Sequence, residues 1–282
     1  MTFSELTIRA TEKSARAFHF FGAMFEEMGR RARGKGWKCA LIFARSKLTD
    51  LYLRQREKFM RSPKVECPCC GWTGYDFYSM DGVFFYLPSV HCPRCRCCER
   101  HRMLQLYITR HDPDLFKDAE RVLHCAPDRE GGLRGLMGQN TAAKVFSTDF
   151  SLRELQPRSG PKFVSDVQSL PLAGESVDVA FCLHVLEHVR GDRQAVGELH
   201  RVLKPGGIAY VMVPFMPGIT QSYALDQPDD IDHIWMYALD DFKNRLTAFD
   251  VREVTPKSFL TPAEIRRYRI PDKEIIYCCV KH

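Results

Sequence analysis

The sequence lacks any apolar run that could cross a membrane, since none approaches the roughly 18 residues that a transmembrane helix needs. Its first residues carry Glu5, Arg9, Glu12 and Lys13 ahead of any apolar cluster, which is not the layout of a secretory signal peptide. These absences predict a cytoplasmic protein. A length of 282 residues, with 45% hydrophobic residues, predicts one large folded domain plus a smaller module or extension.

Several common catalytic motifs are also missing. The sequence has no Gly-x-Ser-x-Gly elbow, no phosphate loop ending in Gly-Lys-Ser/Thr and no His-Glu-x-x-His pair. It therefore gives no support for a serine hydrolase, a P-loop nucleotidase or a zinc protease of these types.

Positive charge is concentrated in the first part of the chain. Residues 1–65 hold fifteen Lys and Arg against six Asp and Glu, which gives a net charge of +9. The whole chain has a net charge of +6, so residues 66–282 together carry −3. Two helices are predicted here, at 14–29 and 39–60, separated by a turn at 30–36. The second carries an apolar stripe at helical spacing, formed by Leu41, Leu48, Tyr52 and Phe59. The stripe either covers a domain face or, with its basic neighbours, docks residues 1–65 on a partner protein or a membrane surface.

Seven of the twelve cysteines lie between Cys67 and Cys98. In a chain without a secretion signal, such clustering indicates a metal site before disulfides. Two Cys-x-x-Cys knuckles stand 21 residues apart, and they supply Cys67, Cys70, Cys92 and Cys95. Two knuckles complete a tetrahedral four-thiolate site, the pattern of a structural zinc ribbon. The segment between them is predicted to form a hairpin with its turn at Asp81-Gly82.

Three cysteines of this module are surplus to the four expected ligands. One of Cys69, Cys97 and Cys98 can replace a nominal ligand. The charged stretch ERHR at 99–102 opens the next helix, and it either contacts an anionic substrate or bridges to the ribbon.

Downstream of the ribbon, predicted strands and helices alternate. Seven segments have the character of strands: 122–126, 144–148, 162–165, 177–183, 208–213, 251–254 and 274–280. Helical patterns occupy 99–118, 131–138 and 191–203. This alternation predicts an α/β, doubly wound fold with a mostly parallel sheet covered on both faces.

The chain resembles the class I S-adenosylmethionine (SAM)-dependent methyltransferases. The resemblance lies in VLHCAPD, VFSTDFS, SVDVAFCLHVLEHV and ELHRVLKPGG, which follow one another between residues 120 and 215. With CPCCG, CPRC and ERHRML ahead of them, these motifs are similar to a bacterial, methyltransferase type 11-like subgroup that carries a zinc ribbon. The predicted organisation is a basic helical segment at 1–65, a zinc ribbon at 66–98 and a methyltransferase domain at 99–282.

The resemblance implies a seven-stranded sheet whose last strand runs antiparallel, with SAM across the carboxyl ends of the first strands. Asp149 ends the second strand, 25 residues after His124, where an acidic side chain can take both ribose hydroxyls of a nucleoside. Carried over by position, the cofactor contacts are His124, Ala126 and Asp128 at the methionine part, Asp149 at the ribose, Phe150, Asp166 and Val167 at the adenine, and Leu183 beside the sulfonium.

The first loop departs from the family pattern. A typical member has an acidic residue at position 124 and glycines at 126, 128 and 130, where this chain has His124, Ala126, Asp128 and Glu130. SAM carries no phosphate, so the loop need not cradle one, and Asp128 can hold the ammonium group from the other side of the turn. We expect a variant cofactor site; the alternative is a fold that has lost its cofactor.

Histidines are the candidate catalytic groups, because a hydroxyl acceptor benefits from a general base with a pKa near neutrality. His184 ends the fourth strand and is expected to face the cofactor. His188 follows in LEHV, where it either acts in the site or packs the next helix. Asp232-His233 lies after the fifth strand, where these enzymes build the acceptor pocket; the alternative is a loop histidine bonded to backbone.

The leading hypothesis is methyl transfer from SAM to an unidentified acceptor, a hydroxyl of a small molecule or glycan. The absence of the Asn/Asp-Pro-Pro-aromatic motif of many N-methyltransferases favours oxygen. One alternative is an RNA methyltransferase that binds nucleic acid through the ribbon and the basic residues 1–65. The net charge of −3 on residues 66–282 disfavours this alternative. Another is a non-catalytic binding protein on the same fold.

Overall fold

A computed structural model describes residues 20–117, 119–127, 133, 136, 143–151, 161–229 and 232–282. Its helices and strands, in chain order, are α1 (20–35), α2 (Trp37–Glu57), β1 (Val65–Glu66), β2 (Thr73–Gly74), β3 (Tyr78–Asp81), β4 (Tyr86–His91), α3 (Glu99–His111), β5 (Arg121–Cys125), β6 (Lys144–Asp149), β7 (Lys162–Val164), β8 (Val177–Leu183), α4 (Asp192–Val202), β9 (Leu203–Met212), β10 (Tyr223–Ala224), β11 (Trp235–Met236), β12 (Asp250–Val254), α5 (Pro256–Phe259), α6 (Pro262–Tyr268) and β13 (Ile276–Val280).

The described chain divides into two compact units. One contains residues 20–61 together with 78–89, and the other contains 62–77 together with 90–282. The hairpin between the cysteine knuckles thus groups with the N-terminal helices, whereas the knuckles group with the α/β domain. Within the described range, no helix combines the length and apolarity needed to cross a membrane.

The first unit begins with two almost continuous helices. Only Gly36, with a φ of 84°, separates α1 from α2. The turn predicted at 30–36 is therefore wrong, because α1 continues to residue 35. Glu27 accepts hydrogen bonds from arginines three and four residues further along, at 2.7 and 2.8 Å. Such pairs favour the helix through this basic stretch.

The β3–β4 hairpin packs on α2 through a buried polar contact. Asp50, on the buried face of α2, accepts hydrogen bonds from the backbone N–H and the hydroxyl of Ser79, both at 2.9 Å. The predicted turn is present, and Gly82 N–H donates to the carbonyl of Phe85 at 3.0 Å. The opposite face of α2 stays exposed, and it carries Trp37, Leu41, Leu48 and Tyr52.

The second unit is built on a seven-stranded sheet with the order β12-β13-β9-β8-β5-β6-β7. The pairs β9–β8, β8–β5, β5–β6 and β6–β7 are parallel, and β13 is antiparallel to both of its neighbours. The predicted doubly wound, seven-stranded and mostly parallel sheet with an antiparallel last strand is confirmed.

Both faces of the sheet are apolar, as expected when helices cover each of them. In β8, Ala180 and Cys182 face the core that contains α4, whereas Val179 and Phe181 face the core that contains α3. Two predicted boundaries are wrong. Helix α3 ends at His111 and not at 118, because Pro113 disfavours helical backbone in the residue before it. Strand β9 begins at 203 and not at 208.

Arg102 joins the segment around the second cysteine knuckle to the rest of this unit, and it donates to the carbonyl of Cys97 at 3.4 Å. Its side chain is fully buried, and its guanidinium donates to the carbonyls of Val90, Tyr268 and Arg269 at 2.6, 2.7 and 3.1 Å. The same group lies over the ring of Phe77, 3.9 Å from its centroid. Of the two roles considered for residues 99–102, the contacts of Arg102 agree with the bridge to the cysteine segment.

Replacing Arg102 with methionine is expected to destabilise the protein by about 3 kcal/mol, because it leaves buried carbonyl groups without donors. Arg110→Met is the matched control on the same helix. Arg110 is exposed and pairs with Glu264, so its loss should cost about 1 kcal/mol or less. Chemical denaturation of both variants measures the difference, and equal stability of the two would contradict the bridging role.

Candidate functional site

The two cysteine knuckles follow the same backbone path. Gly71 N–H donates to the carbonyl of Cys67 at 2.8 Å, and Arg96 N–H donates to that of Cys92 at 2.9 Å. Both donors have positive φ, 69° at Gly71 and 61° at Arg96. Glycine adopts this conformation without strain, and the second knuckle achieves it with arginine.

The knuckles bring four thiols together at the spacing of a tetrahedral metal site. The Sγ atoms of Cys67 and Cys95, and those of Cys70 and Cys92, are 3.7 Å apart. Four sulfurs about 2.3 Å from one zinc ion lie roughly 3.8 Å from each other. All four ligand atoms lie within 4.8 Å of one another, and these cysteines form no disulfide. The four predicted ligands therefore form a group that can hold a metal ion.

A second, overlapping group contains two of the surplus cysteines. Cys69 and Cys97 lie with Cys67 inside the same 4.8 Å limit, and the Sγ atoms of Cys67 and Cys97 are 3.3 Å apart. Cys98 belongs to neither group and caps the start of α3. The arrangement leaves two alternative ligand sets that share Cys67.

Ala126, the first residue after β5, has a backbone conformation that glycine usually adopts. Ala126 has a φ of 43°, in the left-handed region that glycine favours, and its N–H donates to the carbonyl of Thr148 at 2.7 Å. His124 is buried in β5, and its ring meets that of Phe181 edge-on at 6.2 Å. Asp128, the predicted partner of the SAM ammonium group, lies outside the described residues.

A buried carboxylate and an exposed aromatic ring follow β6. Asp149 ends the strand with only 8% of its surface exposed, and one of its oxygens accepts the N–H of Ser151 at 3.0 Å. The next residue, Phe150, is 82% exposed. This edge therefore offers a hydrogen-bonding oxygen beside an open aromatic face.

The loop after β7 contains the two residues expected at the adenine edge. Asp166 is exposed, and its carboxylate accepts hydrogen bonds from the backbone and the side chain of Gln168 at 2.8 and 2.7 Å. Val167 is buried in the core. Since β5, β6, β7 and β8 are parallel, the loops that follow them share one edge of the sheet with Leu183 at the end of β8.

His184 turns the chain sharply at the end of β8. It has a φ of 55°, and its N–H donates to the carbonyl of Met212 at 2.8 Å. Its Nδ1 is 3.5 Å from Oε1 of Glu187, and its Nε2 is 4.0 Å from Oε2 of Glu274. His184 thus stands between two buried carboxyl groups.

Glu187 and Glu274 are the unexpected members of the site. Both are buried, and burial raises the pKa of Glu187 to about 8 and that of Glu274 to about 7. Arg100 lowers both values and thereby opposes the effect of burial. A buried carboxyl group with a raised pKa is a frequent sign of a functional site.

The predicted pair Asp232-His233 meets His188 across the turn. Nδ1 of His188 donates to the backbone carbonyl of Asp232 at 2.9 Å, and the rings of His188 and His233 are 4.9 Å apart. The carboxylate nearest to the ring of His233 belongs to Asp229, at 3.7 Å. Burial and the neighbouring His188 lower the pKa of His233.

The sequence predicted His184, His188 and His233 as groups of the acceptor side, but it did not predict Glu187 and Glu274 there. One signal for Glu187 was available. It follows the apolar pair Val185-Leu186 shortly after a buried strand, a pattern that is typical of a turn packed against the core. Glu274 gave no comparable signal, because it stands in a charged stretch after Pro271.

Comparison with known proteins agrees with the motifs. Residues 130–211 match a family model described as a methyltransferase domain. Over 66 residues the chain is 38% identical to malonyl-[acyl-carrier protein] O-methyltransferase 1 of Coxiella burnetii. That stretch covers 23% of this chain, and it spans only 23% of the curated relative's length.

Solved structures also resemble the chain. One is a SAM-dependent methyltransferase from Archaeoglobus fulgidus, with 14% identity, a TM-score of 0.46, and coverage of 64% of this chain and 94% of the other. Another is the S-adenosylmethionine-dependent methyltransferase from Mesorhizobium loti, with 15% identity, a TM-score of 0.45, and coverage of 60% and 96%. The family model thus matches residues 130–211, which lie inside the segment predicted to be a methyltransferase domain, and the sheet in that segment has the predicted topology.

Proposed function

We propose that this chain, which carries a class I methyltransferase domain, transfers a methyl group from SAM to an oxygen of a small-molecule or glycan acceptor. The observation that carries the proposal is the edge formed by β5, β6 and β8, where Ala126, Asp149 and His184 stand at the ends of three neighbouring parallel strands. Ligands of open α/β sheets bind at this edge.

The cofactor side fits SAM on two observations. Ala126 has the left-handed backbone conformation that glycine usually adopts, so the chain turns at this residue, where the methionine part is expected. Asp149 binds the ribose hydroxyls, and the open ring of Phe150 stacks on the adenine. Asp166 through its carboxylate and Val167 through its backbone N–H meet the adenine edge, and His124 lies beside the methionine part. Bound SAM supplies a methyl group that is already activated by its sulfonium.

The acceptor side contains groups that can position an oxygen and hold its proton. His184 follows Leu183 at the end of β8, beside the sulfonium position that the family resemblance assigns. His233 is the favoured general base, because its lowered pKa keeps the ring neutral and able to accept a proton near pH 7. His188 and the backbone of Asp232 hold the loop in place. Most of the acceleration comes from positioning.

The metal held by the cysteines is proposed to be zinc, with a structural role. Four thiolates are the typical ligand set of structural zinc, and a closed site of this kind has no open position for a substrate. The 3.7 Å spacing of the Sγ pairs fits the set Cys67, Cys70, Cys92 and Cys95.

Isothermal titration tests the proposed function directly. The metal-loaded protein should bind SAM and its demethylated product S-adenosylhomocysteine, each at one site per chain. Failure of a folded, metal-loaded protein to bind either compound would remove the proposal and favour a non-catalytic role for the fold.

A second proposed role is docking of α2 on an anionic membrane surface. Its apolar stripe stays exposed, with Trp37 at 69%, Leu41 at 62% and Phe59 just beyond the helix at 82%. Lysines and arginines flank the stripe, so its charge is complementary to acidic lipid.

Vesicle sedimentation tests this role. We expect binding to vesicles that contain phosphatidylserine, and little binding to phosphatidylcholine alone. Leu41→Glu should abolish it, whereas Glu57→Gln, at the end of the same helix, should not weaken it. Equal sedimentation with both lipids, or unchanged binding by Leu41→Glu, would count against membrane docking.

A further inference from the structure

The turn after β8 contains a group of metal-ligating side chains separate from the cysteines. Glu187, His188 and His233 each offer one ligand atom, and these three atoms lie within 4.8 Å of one another. Glu187 has no exposed surface, and among the described residues its nearest basic neighbours are Nδ1 of His184 and Nε2 of His188, at 3.5 and 3.9 Å from Oε1, longer than a good hydrogen bond. A buried carboxyl group in that state is costly unless another group, such as a cation, meets it.

His188 is held in the tautomer that can bind a metal ion through Nε2. A backbone carbonyl can only accept a hydrogen bond, so Nδ1, at 2.9 Å from the carbonyl oxygen of Asp232, carries the proton. The lone pair of the neutral ring therefore lies on Nε2, which is 3.9 Å from Oε1 of Glu187. Metal-binding histidines are commonly oriented by just such a contact to a backbone carbonyl.

The loop that carries His233 is fixed against the same turn. Ile234 N–H donates to the carbonyl of Glu187 at 2.7 Å, and His233 N–H donates to the carboxylate of Asp229 at 2.8 Å. Nδ1 of His233 also lies 3.7 Å from the other oxygen of that carboxylate. The loop thus holds His233 beside Glu187, with a second acidic group behind it.

We propose that Glu187, His188 and His233 bind one divalent cation of the first transition series. Imidazole and carboxylate ligands suit this class, which includes cobalt, iron, manganese and zinc. Ligand atoms about 2.1 Å from one ion lie roughly 3–3.5 Å apart, so small side-chain rotations close the site. Three protein ligands leave positions for water or for an acceptor oxygen. With the cation bound, His233 is a ligand and not a general base, and the cation would then lower the pKa of an acceptor hydroxyl in its place. Only the contact between the cation and an acceptor oxygen rests on the proposed methyl transfer; the binding of the cation does not.

The experiment is a titration of Co²⁺ into the full chain after the cysteine site has been loaded with zinc. We expect calorimetry to show one Co²⁺ bound per chain. The visible bands should be weak, and there should be no thiolate-to-cobalt charge-transfer band, which would mark cobalt at the cysteines. Glu187→Gln, which keeps the shape of the side chain, and His233→Ala should each weaken binding by at least about 10-fold.

His200→Ala is the matched control. This histidine lies on α4, with its ring against Phe249, and its loss should leave the affinity for Co²⁺ unchanged. Thermal unfolding and zinc content show whether each variant is folded, and His233→Ala changes only a loop. Absence of Co²⁺ binding by the parent protein, or parental affinity in both site variants, would overturn the proposal. Co²⁺ binding without SAM binding would refute the proposed function alone.

Discussion

Replacing Cys92 with serine is expected to release the metal from the ribbon and to destabilise the second unit. Cys92 is fully buried, and its Sγ lies 3.7 Å from that of Cys70. Because the free energy of binding structural zinc is also free energy of folding, loss of one ligand removes much of it. We expect a loss of about 4 kcal/mol, which lowers Tm by roughly 8–16 °C in a domain of this size.

Cys69→Ser separates the two possible ligand sets. Cys69 belongs with Cys97 to the group of three but not to the group of four, whereas Cys92 belongs only to the group of four. Zinc content measured by mass spectrometry should therefore stay at one per chain in Cys69→Ser and fall close to zero in Cys92→Ser. The opposite result would show that Cys69 and Cys97 are the ligands.

The grouping of the cysteines could be predicted because the sequence signal for it is local. Each knuckle is a turn of four residues followed by a residue of positive φ. In the first knuckle this residue is Gly71, and a glycine at that position predicts the conformation. Arg96 is a weaker signal in the second knuckle, since arginine rarely adopts a positive φ. The choice among seven nearby cysteines could not be made from spacing, because it depends on how Cys67, Cys69 and Cys97 approach each other in three dimensions.

The sheet could be predicted for a similar reason. Parallel strands buried on both faces appear as short apolar runs, and six of the seven predicted strands agree with the structure to within about two residues. The exception is β9, which begins at Leu203. Its first residues, LKPGG, have the composition of a turn, and pairing with β8 draws them into the strand.

The polar groups of the site were harder to predict, because their contacts join distant parts of the chain. His188 reaches Asp232 across 44 residues, and Arg102 reaches Tyr268 across 166. Glu187 lies in a motif that predicts only a strand followed by a turn. Its burial depends on the 232–236 segment, whose backbone donates to the carbonyl of Glu187 through Ile234. Local pattern cannot supply that contact.

Asp149→Ala is expected to weaken SAM binding strongly. A carboxylate that accepts hydrogen bonds from two ribose hydroxyls contributes more than a neutral acceptor would, because charge-assisted hydrogen bonds are the stronger kind. Loss of both bonds should cost about 3 kcal/mol, which raises Kd roughly 100-fold. Isothermal titration with SAM measures this directly, and S-adenosylhomocysteine should show the same loss because it has the same ribose.

The control for this variant is Asp250→Ala. Asp250 is an exposed aspartate at the start of β12, at the opposite end of the sheet from the proposed cofactor edge, so its loss should leave Kd unchanged. Asp149 also accepts the N–H of Ser151, so thermal unfolding must show that the site variant keeps its fold. Parental SAM affinity in a folded Asp149→Ala protein would mean that the nucleoside is held elsewhere. Loss of binding in that variant alone would place the ribose at the end of β6.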